Sequence, residues 1–154
     1  MNKYRTDFSE KYKEMYDKSS REIKAKKIIS VLSHHLNDTS DLTLLDIGCS
    51  TGIMTKQFAL FFETVVGLDV DEEAIKFATK NYGDKNLTFI SKSTEDAEIE
   101  EHTFDVVVLS HVIQMIPDVQ SLMSEVSRVL KPGGVCYFAV GNRLSLRDPQ
   151  YKLL

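Results

Sequence analysis

The chain has 154 residues, 42% of them hydrophobic and 27% charged, which is enough apolar material for one globular domain with its own core. A formal net charge of −4 and a pI near 5.6 argue against a broad nucleic-acid footprint, which needs clustered Lys and Arg. No run approaches the roughly eighteen apolar residues of a membrane span, and the charged N-terminus does not read as a signal peptide.

In the first segment Tyr4, Phe8, Tyr12 and Tyr16 stand four apart, so a helix there would carry four rings on one stripe. Such a stripe could pack the segment onto the body or form part of a lid over a ligand. Arg21 to Asn37 is predicted as a helix with Ile28, Val31, Leu32 and His35 or Leu36 inward, ended by the turn-forming run Asn37 to Asp41. Lys24, Lys26 and Lys27 have acidic neighbours and read as a solvated helix face. His34 and His35 suit a helix C-terminus, where the dipole favours imidazolium.

Leu42 to Ile47 is a short apolar strand, and Gly48-Cys49-Ser50-Thr51-Gly52 follows at once. Ile53, Met54, Phe58, Ala59, Phe61 and Phe62 predict a crossover helix with a wide apolar face, leading to a second strand that ends at Asp69. Asp71-Glu72-Glu73 opens another helix, with negative charge in its first turn. Ala74, Ile75, Phe77 and Ala78 are its predicted buried side, and Asn81-Tyr82-Gly83 ends it. Leu87 to Ile90 is a third strand, Ser93 to Thr103 a polar loop, and Phe104 to Ser110 the clearest buried strand of the sequence, the fourth.

A loop from His111 to Pro117 leads into a helix from about Asp118, with Val119, Leu122, Met123, Val126 and Val129-Leu130 at helical steps. Lys131-Pro132-Gly133-Gly134 stops it, and Val135 to Val140 is a fifth strand. Cys49 and Cys136 have no CxxC or metal-like spacing and read as reduced thiols of a cytoplasmic protein. Strands alternating with helices predict an α/β fold: a Rossmann-like three-layer sandwich around a mainly parallel sheet of about five strands. The expected organisation is one domain, with a helical cap at 1–38, the core at 39–140 and an incomplete segment at 141–154.

A glycine loop between a buried strand and a helix is a nucleotide-binding device. A GxxxxGK[ST] phosphate loop does not fit, because Gly48 and Gly52 are four apart and no Lys-Ser/Thr pair follows. A GxGxxG dinucleotide loop fails at Ser50, which stands where pyrophosphate needs the second glycine. Asp46, two residues before the first glycine, would repel a diphosphate but suits a ligand that is positive there. S-adenosylmethionine is such a ligand. Asp69 closes the second strand where a carboxylate can accept both ribose hydroxyl protons, a feature shared with NAD proteins. Its alternative role is a helix N-cap, which Asp71 could fill instead.

The runs LLDIGCSTG, VVGLDVDEEAI, TFDVVVLSHVIQMIPD and VLKPGG resemble the successive motifs of class I S-adenosylmethionine-dependent methyltransferases, and more narrowly their small-molecule, ubiquinone-biosynthesis-like branch. The resemblance covers roughly residues 40 to 140. It implies a methyltransferase using S-adenosylmethionine and releasing S-adenosylhomocysteine. It also implies that Asp46, Gly48, Cys49 and Gly52 form the methionine-end loop, that Asp69 holds the ribose and that Val70 lies against the adenine. Ser93, Thr94 and Glu95 match the segment at the adenine edge. Leu109, Ser110 and His111 match the segment that approaches the amino-acid part of the cofactor and the acceptor. Two departures stand out: Ser50 occupies a place that is often glycine, and Ser93 one that is often Asp.

Displacement at a sulfonium has an activated leaving group, so the protein supplies alignment, desolvation and sometimes a base. His111, just past the fourth strand, is the candidate base; its alternative is a structural histidine. His102 sits in a polar loop and reads as exposed. The run LSHVIQM is not the [DNS]PP[YF] signature of amino-methylating nucleic-acid enzymes, so a small-molecule acceptor is expected, with no metal.

The family's sheet ends in an antiparallel hairpin, for which the fourteen residues after Val140 are too few, so a truncated or naturally short chain is expected. The edge at Val135 to Val140 should then find cover, in a homodimer or in the chain's own last residues. A non-catalytic cofactor-binding module or regulatory subunit is the alternative function, and an NAD-linked oxidoreductase a third, disfavoured by Asp46 and Ser50.

Overall fold

A computed structural model describes residues 18–141. The stripe of Tyr4, Phe8, Tyr12 and Tyr16, and most of the C-terminal segment, lie outside the described residues. In chain order the elements are α1 (Lys18–Leu36), β1 (Thr43–Ile47), α2 (Thr55–Phe58), β2 (Thr64–Asp69), α3 (Glu72–Tyr82), β3 (Leu87–Ser91), β4 (Phe104–Ser110), a 3₁₀ turn (Ile113–Met115), α4 (Val119–Val129) and β5 (Leu130–Ala139). The five strands form one sheet in the order β3-β2-β1-β4-β5, and every pairing is parallel. The chain runs outward from β1 to β3 on one side and from β4 to β5 on the other. The crevice past the C-terminal ends of β1 and β4 is therefore the topological switch point where open α/β sheets place ligands.

Alternation along the strands separates two cores. On one face Leu44, Val65, Val106, Val108, Leu87 and Phe89 pack against Ala25, Ile28, Ile29 and Leu32 of α1, Phe58 of α2, and Ile75 and Ala78 of α3. On the other, Leu45, Ile47, Leu68, Phe104, Val107 and Leu109 meet Leu122, Val126 and Val129 of α4. Ala97 and Ile99 of the 93–103 loop complete that second core. Arg128 of α4 pins the loop by donating to the Ile99 carbonyl at 2.7 Å. Across the bottom of the sheet Asp105 Oδ2 accepts from Thr43 N–H, Thr43 Oγ1 and Lys131 Nζ at 2.8–2.9 Å.

Strands β1 to β4 fall where the sequence puts them; three helices and β5 need correction. The inner stripe of α1 is Ala25, Ile28, Ile29 and Leu32, while Val31 is 44% exposed and His35 is exposed too. The first crossover keeps a regular helix only over Thr55–Phe58. Beyond it, Leu60 N–H reaches Gln57 O and Phe61 N–H reaches Phe58 O, tighter turns that suit a run of aromatic residues poorly disposed to helix. Met54, Phe58 and Phe62 fill the core there, whereas Leu60 is 72% exposed and Phe61 also faces out. In α3, Phe77 lies outside the buried set of Ala74, Ile75 and Ala78. The run Lys131 to Gly134 does stop α4, but it already belongs to β5, which joins β4 through a register shift between Phe104 and Val106.

Candidate functional site

The predicted site residues converge at the C-terminal ends of β1, β2, β3 and β4. Gly48 (φ 77°) and Gly52 (φ 73°) turn the chain through left-handed conformations that side chains disfavour. A Cβ on Gly48 would stand 2.6 Å from Val112 Cγ2, and one on Gly52 2.7 Å from the Phe89 ring. Both glycines are therefore required twice, by backbone angle and by space. Ser50 adopts φ 51°, the conformation of the glycine it stands in for, and its N–H donates to Asp69 Oδ2 at 2.7 Å.

The loop spends four of its amides, those of Gly48, Cys49, Ser50 and Gly52, inside the protein. Gly48 and Cys49 N–H both donate to Leu68 O at 2.7 and 3.1 Å, and Gly52 N–H donates to Cys49 O. A phosphate cradle works by presenting such N–H groups to the ligand, so this loop is of a different kind.

Asp46 and Asp69 set the charge of the site. Asp46, on β1, is 1% exposed; its Oδ2 accepts from Thr55 Oγ1 at 2.8 Å, and its Oδ1 has no hydrogen-bond partner among the described residues. Burial pushes its pKa from 3.8 to about 7, the Thr55 hydrogen bond works downward, Asp69 upward and Arg21 downward. A buried carboxylate oxygen without a donor is costly unless something positive meets it. Asp69 is likewise raised by burial, against the opposing hydrogen bonds from the Asp71 and Ser50 N–H groups. Asp71 caps α3, accepting from Ala74 N–H at 3.0 Å, so Asp69 is not the helix cap.

Cys49 is buried, and burial beside Asp46 and Asp69 raises its thiol well above the usual range. Val70 is half-buried next to Asp69. Ser93 and Thr94 are buried and Glu95 is exposed. The Ser93 hydroxyl is committed locally, donating to Asp96 Oδ2 at 2.6 Å, which brings an acidic group beside the position where Ser93 replaces the expected Asp. Leu109 is buried in the core, and Ser110 and His111 are half-buried at the end of β4. His111 has φ 59° and donates its N–H to Ala139 O at 2.8 Å, which ends the strand and turns the chain across the mouth of the site. His102 is exposed on the loop before β4, its Nδ1 2.9 Å from Leu130 O.

The sequence reading missed Thr55, Asp96 and Val112. The signal for Thr55 was present as a hydroxyl residue one turn into the crossover, but its partner Asp46 lies nine positions earlier, which no helical periodicity reveals. Among the described residues no cluster of His, Cys, Asp and Glu could hold a metal ion, and no helix is long and apolar enough to cross a membrane.

A family model described as a methyltransferase domain matches residues 45–138. The ubiquinone biosynthesis O-methyltransferase of Vibrio cholerae is 35% identical over 104 residues, covering 65% of this chain and 42% of that relative. The enzyme of the same name from Thiobacillus denitrificans is 34% identical over 103 residues, covering 65% and 44%. The chain thus spans well under half the length of these curated relatives. Among solved structures, a SAM dependent methyltransferase from Aquifex aeolicus superposes with a TM-score of 0.70 at 16% identity, over 86% of this chain and 77% of that one. One from Mesorhizobium loti gives 0.65 at 23% identity, over 74% and 53%. These likenesses establish the fold.

Proposed function

The chain belongs to the methyltransferase-domain family, matched across residues 45–138, and from that premise we propose that it binds S-adenosylmethionine at the switch point and transfers its methyl group to a small-molecule acceptor. The observation that carries the reading is Asp46, buried at the root of the loop with one oxygen unpartnered. A sulfonium and ammonium ligand supplies the positive charge that such an oxygen lacks, and a diphosphate would worsen it. The glycine loop fits the same ligand, because the N–H groups of Gly48, Cys49, Ser50 and Gly52 are spent internally and no phosphate has to be held.

When bound, the cofactor supplies an activated methyl group whose leaving group is a neutral thioether. Asp46, Gly48, Cys49 and Gly52 form its methionine-end pocket. Asp69 is the ribose acceptor; its two oxygens already take one N–H each, and each keeps capacity for another donor. Val70 lies against the adenine, with Ser93, Thr94 and Glu95 along its edge. Leu109, Ser110 and His111 approach the amino-acid end and the acceptor, where His111 accepts the acceptor's proton. The relatives' names make an oxygen acceptor the first to test.

Calorimetry with S-adenosylmethionine, S-adenosylhomocysteine and NAD tests the cofactor, and binding of NAD alone overturns the reading. Methyl transfer from labelled donor into a metabolite extract tests the activity. Binding without transfer would favour a non-catalytic module, the alternative that relatives named as O-methyltransferases do not favour. A cytoplasmic setting belongs to the same proposal, as does a homodimer through the edge of β5 that no strand of the described residues pairs, where Phe138 is 58% exposed. A strict monomer in light scattering overturns the dimer.

A further inference from the structure

We propose that Thr55 is a positioning residue of this site: its hydroxyl fixes the Asp46 carboxylate so that Oδ2 is spent on Thr55 and Oδ1 is kept for the positive end of the ligand. The inference rests on the cofactor reading above and adds a residue that the motifs do not assign.

Thr55 is fully buried on the first turn of α2, and its Oγ1 donates to Asp46 Oδ2 at 2.8 Å. Both groups are shut away from water, so the bond is not weakened by solvent competition and holds the carboxylate in one rotamer. A bond from Thr55 to one oxygen, with the other left unpartnered, makes a carboxylate with a spent side and an available side.

Among the described residues, the charged groups acting on Asp46 are Asp69 from the end of β2, which disfavours its charge, and Arg21 from α1, which favours it. The Cys49 thiol in the loop feels the Asp46 charge in turn. The Thr55 hydroxyl stabilises the ionised form, so removing it must make Asp46 harder to ionise. Capture of a cation requires the ionised carboxylate, and the pH at which affinity is half-maximal reports that ionisation.

The test compares wild type with Thr55→Val, which keeps the volume and loses the hydroxyl, and Thr55→Ser, which keeps the hydroxyl. S-adenosylmethionine affinity is measured by calorimetry from pH 5.5 to 9, and the Asp46 carboxyl carbon is titrated by NMR in ligand-free protein. For Thr55→Val both profiles should move up by about one pH unit, making affinity at pH 7 about fivefold weaker. Thr55→Ser should restore the wild-type profiles. Thr55→Ala carries the same expectation as Thr55→Val if the latter fails to fold. Superimposed wild-type and Thr55→Val profiles overturn the role of Thr55 alone. Absence of S-adenosylmethionine binding by wild type at every pH overturns the cofactor reading, and this inference with it.

Discussion

The carboxylate of Asp69 holds the backbone N–H of Ser50 at 2.7 Å, joining the end of β2 to the one loop residue that takes a glycine-like conformation with a side chain, at φ 51°. The residue proposed to hold the ribose therefore also holds the shape of the loop beside it. Asp69→Ala strands the N–H groups of Ser50 and Asp71, so it should lower unfolding stability by about 1–3 kcal/mol as well as weaken cofactor binding. Urea denaturation and calorimetry on the same variant read the two effects. Unchanged stability with lost affinity would mean that the loop holds its shape without Asp69.

A second prediction concerns Gly48 and Val112, which meet across the switch point. Gly48→Ala puts a Cβ 2.6 Å from Val112 Cγ2 at φ 77°, adding a collision to a conformation that costs an L-residue roughly 1–2 kcal/mol. The variant should lose about 2–4 kcal/mol in total. Adding Val112→Ala relieves only the collision. The double mutant should therefore be more stable than the sum of the two single changes predicts, by about 1 kcal/mol. Additive denaturation midpoints would show that loop and 3₁₀ turn yield independently.

The sheet was legible in the sequence because buried parallel strands are short apolar runs bounded by turns, and Val106 to Leu109 in β4 is such a run, buried at each position. The loop's departure from phosphate-binding loops was legible too, since Asp46 and Ser50 differ from them in charge and size. The crossover after it was not: Phe61 and Phe62 are equally apolar, yet tight turns bury one and expose the other. Nor could periodicity place Val31 and Phe77, which sit one residue from buried positions on the rims of their helices. The Thr55–Asp46 bond spans a strand, a loop and a helix start, so only the folded chain brings it together.

Asp46 gives stability a definite pH dependence. Its pKa rises on folding from an ordinary 3.8 to about 7, so the folded state binds the proton more tightly than the unfolded state. The protonated carboxyl's advantage is fully present below about pH 4 and is lost as pH rises toward 7. The ligand-free chain should lose at most roughly 4 kcal/mol across that window from this group. Asp69, also raised by burial, acts in the same sense. Asp105 opposes them: burial works upward, but hydrogen bonds from Lys131 and Thr43 hold it low, so its contribution is present above pH 3.8 and lost in stronger acid. Asp46→Asn should flatten the curve, making the variant more stable than wild type at pH 8 while weakening the cofactor. Denaturation midpoints from pH 4 to 8 decide the matter, and parallel curves for the two proteins would contradict it.

The role of His111 is best tested with asparagine. At φ 59°, alanine would add backbone strain to the loss of the imidazole, whereas Asn accepts the left-handed region readily and keeps the N–H that Ala139 O requires. If the imidazole takes the acceptor's proton, His111→Asn should lower kcat by about 10²–10⁴ and leave S-adenosylmethionine affinity within about twofold. With S-adenosylmethionine saturating, so that Asp46 ionisation no longer limits binding, the acid limb of kcat against pH should also vanish. A kcat within a few-fold of wild type, with the acid limb intact, would assign His111 to turning the chain after β4 and leave the proton to solvent or to the acceptor itself. The readout separates the two roles, because Asn supports the backbone turn at this φ while it removes the imidazole.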